Sequence, residues 1–307
     1  MTTATSPDPA AAPPRAAILW LVLLVIGIGW GGTGPLGKIA VSTGHHPIGV
    51  TFWNTVIGAS LLTVALLATG RRLPLTRRHL FFYLGCGLLG VALPGSFSYA
   101  AYRLLPVGVV MIVLSLVPIA TLIVALPLRI DRASPTRLLG IGLGVLAVLL
   151  IALPKASLPG AGHAAWILLP VVTALSYAGE NVFIAVARPK GADPLVLMCG
   201  LMWGALLLLT PVVFLSGAWL DLTSFGPPER AILGISIMNV TAYLGFIWLI
   251  GHAGPVFASQ IGFVVTGSGV VFGMVVFGER HSAWVWAALV VMFAGLTLVR
   301  PRRPEAN

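Results

Sequence analysis

Apolar residues in this chain come in long, nearly unbroken blocks separated by short polar or basic connections. They show neither the alternation of half-buried strands nor the stripes of soluble amphipathic helices. A helix needs about 20 apolar residues to cross a bilayer. On that ruler the pattern predicts ten spans, at 17–40, 47–69, 79–101, 106–128, 135–153, 164–187, 194–216, 230–250, 254–277 and 282–299. Residues 1–16 are polar and Pro-rich and are expected to be a disordered cytoplasmic segment, and 300–307 a short cytoplasmic basic tail. The block after Arg15 exceeds the roughly 7–15 residues of a signal-peptide core, so it is expected to be retained as the first span.

Two of these blocks read alike. Pro106–Ser134 and Gly254–Ser282 are both apolar, rich in small residues, and end in an acid–Arg–x–Ser signature. A constant offset sets Asp131 on Glu279, Arg132 on Arg280 and Ser134 on Ser282. Residues 17–153 and 164–299 are thus expected to be two copies of one five-helix unit. Five is odd, so the second copy enters the membrane inverted relative to the first. Inverted repeats build transporters, with the solute site near the midplane between the halves.

Composition agrees with a membrane location. Hydrophobic residues make up 58% and charged residues 8%, where a soluble domain carries about 25% charge; mean hydropathy is +1.01. The net charge of +10 does not point to nucleic acid, because the basic residues sit in short clusters between apolar blocks. With the N-terminus inside, Arg71, Arg72, Arg77, Arg78, Arg129, Arg132, Arg137, Arg188, Lys190 and the C-terminal arginines all fall inside, whereas Arg103, Lys155, Arg230 and Arg280 fall outside. That bias places both termini in the cytoplasm. Cys86 and Cys199 both lie within apolar blocks and read as packing residues. The six histidines sit at span ends with no HExxH, and there is no GxSxG and no phosphate-binding Walker A loop, so neither a metal, nor a cofactor, nor ATP-driven transport is indicated.

Trp30-Gly31-Gly32 in the first span, Pro118 in the fourth, Ala253-Gly254-Pro255, and the run ending Gly278-Glu279-Arg280-His281-Ser282 together resemble the drug/metabolite transporter superfamily, in its ten-helix EamA-type branch. The resemblance covers residues 17–299. It departs from the family pattern at Ile130-Asp131-Arg132, where Gly-Glu-Arg is usual, at Asn54, where an Arg is common, and at Thr266, where a Pro is common. It implies an all-α integral membrane protein of ten helices in two inverted five-helix repeats, in a bacterial inner (plasma) membrane. The first four helices of each half would surround a cavity, and export of amino acids or related metabolites is the implied activity.

Glu180 is the only acid predicted deep within a span, about 10 Å from the inner end of the sixth. An ionisable group there is expensive and functional by default. Thr173, Tyr177 and Glu180 share one helical face, with Asn181 beside it. Glu180 could bind the amino group of a solute or carry a coupling proton, or it could simply tie helices together. Trp30 and Thr33 share a face of the first span, Asn239 and Tyr243 a face of the eighth, and Gln260 opens the ninth. Asn54 and Tyr99 complete the candidate set. For each aromatic the alternative is packing or an interfacial belt, and for each amide an interhelical hydrogen bond.

Asp131-Arg132 and Glu279-Arg280 are read as a local ion pair or a helix-end bond that fixes the turn, and Lys38 as a snorkelling cation. Gly140/Gly144 and Gly269/Gly273 read as close helix contacts, and Pro94 and Pro118 as kinks. The reading is a secondary transporter of small organic solutes, with solute, bilayer lipid and protons as partners and no enzymatic activity. A membrane-embedded transferase and a channel or scaffold subunit are the rivals.

Overall fold

The computed structural model describes residues 16–129, 134–152, 163–258 and 260–298, with backbone only at 163–164 and 254–256. Residues 1–15 of the expected N-terminal segment, the C-terminal tail and the Asp131-Arg132 pair lie outside these residues, and Ala16 already belongs to the first helix. Within them the chain is helical, with no strand. The helices are α1 (Ala16–Gly31), α2 (Thr33–Ala40), α3 (Pro47–Ala68), α4 (Arg77–Gly87), α5 (Leu93–Leu104), α6 (Val107–Leu114), α7 (Val117–Ala125), α8 (Pro135–Ala152), α9 (Leu168–Ala187), α10 (Pro194–Leu215), α11 (Pro227–Ala258), α12 (Ile261–Phe277) and α13 (Ala283–Leu298). A π-helical turn, Leu88–Ala92, joins α4 to α5. Counting interrupted helices as one, eight are long and apolar enough to cross a membrane, and α12 and α13 are shorter apolar helices of 17 and 16 residues.

The ends of these helices follow from local chemistry. His46 precedes Pro47 and its Nδ1 accepts from Ile48 N at 3.3 Å, while Asp193 precedes Pro194 and accepts from Leu195 N at 2.8 Å. In both, a polar N-cap and a proline at the first helical position start the helix. Leu105 stands before Pro106 and is driven to extended backbone (φ −121°, ψ 156°), which separates α5 from α6. The sequence reading placed a comparable break at Gly254, between spans 230–250 and 254–277. It is not there: α11 runs unbroken through Gly254-Pro255 to Ala258. A proline forfeits one helical bond, which a membrane helix flanked by neighbours tolerates.

The π-helical turn has a specific cause. Leu93 N bonds to Leu88 O, one residue further back than an α-helix would place it. In that register the donor for Leu89 O would come from residue 94, which is Pro94 and has none. The hydroxyl of Ser176 on α9 takes its place at 2.8 Å. A buried carbonyl is thereby satisfied from a neighbouring helix.

Small residues set the helix spacing. A Cβ on Gly31 would meet Ser268 Oγ and Val265 O on α12, and one on Gly87 would meet the α10 backbone at Leu201 and Ala205. The small-residue pairs expected from the sequence act in the same way. Gly144 is in contact range of Leu116 and Ile119, Gly269 of Met111, and Gly273 of Val107. α6 lies innermost, with Val107, Val109, Val110, Ile112 and Val113 fully buried. Large apolar side chains such as Leu21, Val25, Leu207 and Val290 face outward, the reverse of a water-soluble surface.

The bundle has two ends. At one, Arg71 Nη1 meets Asp193 Oδ1 at 2.9 Å, joining the α3–α4 connection to the start of α10. At the other, His45 meets Glu229 Oε1 at 2.9 Å, joining the α2–α3 connection to the start of α11. Lys38 and Glu279 lie at this second end, which is called here the Lys38 end.

Candidate solute cavity

Three interruptions face one central space. α1 gives way to α2 at Gly32, α6 to α7 at Ser115–Leu116 just before Pro118, and α11 to α12 beside Gln260. The space is a cavity of about 590 Å³. That volume is within the range of small-molecule sites, which are mostly apolar with a few placed polar groups. Seven of the candidate residues line it: Trp30, Thr33, Asn54, Tyr99, Tyr177, Asn239 and Gln260.

Several of them bond across the two halves of the chain. Trp30 Nε1 donates to Asn239 Oδ1 at 3.1 Å. Asn54 Nδ2 donates to Tyr99 OH at 3.1 Å, and Asn54 Oδ1 accepts from Ser236 at 2.7 Å. Thr33 Oγ1 is used locally, on Trp30 O at 2.7 Å. Among the described residues the Tyr177 hydroxyl and the Gln260 amide have no hydrogen-bond partner, so both are available to a bound molecule.

Glu180 is off the lining but behind it. Gly90, in the π-helical turn, lines the cavity, and a Cβ there would strike the Glu180 carboxylate. Glu180 has no hydrogen bond or ion pair among the described residues. Its path to the cavity is the missing side chain of Gly90. Two candidates stand apart. Asn181 is exposed and donates to Thr121 Oγ1 on α7 at 3.1 Å, and Tyr243 is half-buried outside the lining. Conversely, Thr51, Ser98, Tyr102, Met111, Phe263 and Thr266 line the cavity and were not singled out. Thr51, Ser98 and Thr266 are hydroxyls inside apolar blocks, the one signal the sequence offered for them.

Among the described residues the cavity lining is exposed towards one end and buried towards the other. Gln260, Gly262, Pro118 and Thr297 are exposed lining residues towards the Arg71 end, whereas Thr51, Ser98, Tyr99, Tyr102 and Met111 are buried towards the Lys38 end. Beyond that floor sits a charged cluster. Lys38 Nζ lies 2.8 Å from Glu279 Oε1 and 5.0 Å from the Phe277 ring centroid. Glu279 also accepts from the first amides of α6, Val107 N at 2.7 Å and Gly108 N at 3.2 Å. The Glu279 side chain is 8% exposed. This corrects two expectations: Lys38 does not snorkel, and the ion pair of Glu279 is with Lys38 rather than local, while its helix-end bonds go to the start of α6. Glu279 sits inside the bundle, where an unpaired charge is costly, so it takes the half-buried cation of Lys38. His281 Nε2 is 3.7 Å from Glu279 Oε2, and burial holds its imidazole below the usual range, with Glu279 pulling the other way and Lys38 adding to the lowering.

Comparisons agree with this architecture. A solved structure described only as "Crystal structure of protein" aligns over 92% of this chain and 96% of its own, with a TM-score of 0.61 at 16% identity; that likeness concerns fold alone. No curated protein matches the chain. Residues 16–153 match the model of the EamA-like transporter family.

Proposed function

We propose, for a chain whose residues 16–153 are of the EamA-like transporter family within the drug/metabolite transporter superfamily, a secondary transporter of small organic solutes, a metabolite or amino-acid exporter. It works by alternating access in a bacterial inner membrane, with ten spans in two inverted five-helix repeats and both termini cytoplasmic. One observation carries this reading. A mid-bundle cavity is lined from both halves by aromatic and amide side chains, its lining exposed towards one end and buried towards the other among the described residues. Broken helices around such a space are how membrane carriers present backbone groups to a solute.

Trp30, Thr33, Tyr177, Asn239 and Gln260 are the solute contacts in this reading, with Asn54 and Tyr99 forming the floor. Glu180 binds a solute amine or carries a coupling proton through the gap at Gly90. A transferase is disfavoured, since no acid pair or metal-holding cluster faces the cavity among the described residues. A channel is disfavoured by the buried end of the lining.

Counterflow in proteoliposomes tests the reading: saturable exchange of labelled solute is expected, and conductance without saturation would replace it with a channel. Glu180→Gln is expected to abolish the pH dependence of transport and to lower its rate, as for an intramembrane acid used in function. Unchanged rate and pH dependence would remove Glu180 from both roles.

A further inference from the structure

The cavity floor at the Lys38 end must part if solute is to cross, and the bonds spanning that floor differ greatly in strength. Tyr102 OH to Met111 Sδ (3.4 Å) is weak and lies within the first half. Asn54 with Ser236 and Trp30 with Asn239 cross between halves as neutral hydrogen bonds. The cluster around Glu279 is of another kind. This carboxylate belongs to the second half, yet every partner it holds within 3.2 Å belongs to the first: Lys38 and the two amides that open α6. Lys38 Nζ also reaches Leu105 O at 3.4 Å, on the α5–α6 connection. Charge-assisted bonds are roughly twice as strong as neutral ones, and here the carboxylate is buried while the Lys38 side chain is 27% exposed.

At the opposite end Asp131, which the repeat sets on Glu279, lies outside the described residues, and Arg137 is buried. The pair between halves there, Arg71 with Asp193, has side chains 43% and 38% exposed. Exposed pairs contribute little. The Glu279 cluster lies at the end where the cavity lining is buried.

We propose that Glu279 and Lys38 are the positioning pair that holds the Lys38 end shut, and that Glu279 leaves Lys38 and the α6 amides when that end opens. The proposal rests on the carrier reading above. Glu279 closes two contacts at once. It draws α2 inward through Lys38, and it fixes the first turn of α6, whose Met111 forms part of the floor. The space to do so is provided by Gly273 and Gly108. A Cβ on Gly273 would meet Glu279, and one on Gly108 would meet His281.

The test reads accessibility and needs no identified substrate. Ser98 lines the floor and is 9% exposed. Ser98→Cys is placed in a chain carrying Cys86→Ala and Cys199→Ala, reconstituted in sealed vesicles of known orientation. A membrane-impermeant maleimide is then applied from each face. The parent is expected to label mainly from the Gln260 face. Lys38→Gln and Glu279→Gln are expected to raise labelling from the Lys38 face roughly five- to tenfold and lower it from the other, as a shifted two-state equilibrium requires. Lys38→Arg, which keeps the cation, should behave as the parent. Because Glu279→Gln also weakens the cap on α6 and can fail to fold, Lys38→Gln decides, since it leaves both amide bonds in place. Unchanged labelling at both faces with a lowered melting temperature would make the pair a mere staple and overturn the proposal. Labelling that never occurs from the Lys38 face in any variant would overturn the carrier reading as well.

Discussion

Pro94 takes away the one amide hydrogen that could reach Leu89 O in the π register, and Ser176, some eighty positions later, replaces it at 2.8 Å. Ser176→Ala is therefore expected to lower stability by about 1–2 kcal/mol, read as a fall in melting temperature in detergent, because a buried carbonyl is left without a donor. Ser176→Thr should recover most of it. The sequence marked Pro94 as a kink but could not show which residue repairs it. The repair depends on which helix packs alongside. Glu180 was legible for the opposite reason: an acid alone in an apolar block stands out whatever its neighbours. Lys38 and Glu279 were misread because each, viewed along its own segment, sits at a helix end where a local explanation is available. Their partnership across 241 positions exists only in the folded bundle.

Most of the helices were legible to within a few residues, the eighth and ninth spans excepted, since an apolar block of about 20 residues flanked by polar caps leaves little choice of structure. Their interruptions were less so. Leu105-Pro106 breaks the chain while Gly254-Pro255 does not. Periodicity carries no information about whether neighbours will tolerate a missing bond. Glycines divide the same way, by what stands opposite them. Gly87 faces the α10 backbone, whereas Gly29 on α1 and Gly142 on α8 have nothing within 4 Å of a Cβ. Gly87→Ala should push α4 from α10 and destabilise the protein by about 1–3 kcal/mol, as overpacking does. Gly29→Ala and Gly142→Ala should be neutral or stabilising by up to about 1 kcal/mol. Thermal melts of the three variants side by side provide the check. Equal losses at all three positions would mean that the α4–α10 contact is not as tight as described.

At the scale of the molecule, the cavity joins residues from both halves whose spacing along the chain gives no hint of contact. The repeat suggested that the halves would meet there; the lining residues Tyr102, Met111 and Thr266 emerged only from the packing. The two-ended arrangement makes a direct forecast about topology. The connection 69–76 lies at the Arg71 end and the connection 216–226 at the far end of α10. Reporter fusions or cysteine probes at these two connections should therefore read out on opposite faces of the membrane. The positive-charge bias further predicts that 69–76 is the cytoplasmic one. Both probes on one face would be incompatible with α10 as a span.

The uninterrupted α11 has 32 residues, about 48 Å of helix, against a hydrocarbon layer of about 30 Å. It must lean or carry several turns into the headgroups, and the end that does so beside Gln260 borders the mouth of the cavity. Lipid thickness then becomes a mechanical input. A thinner bilayer tilts this long strut further, a thicker one stands it upright, and the rim of the mouth moves with it. The width of the opening is in this way shared between the polypeptide and the membrane it is dissolved in.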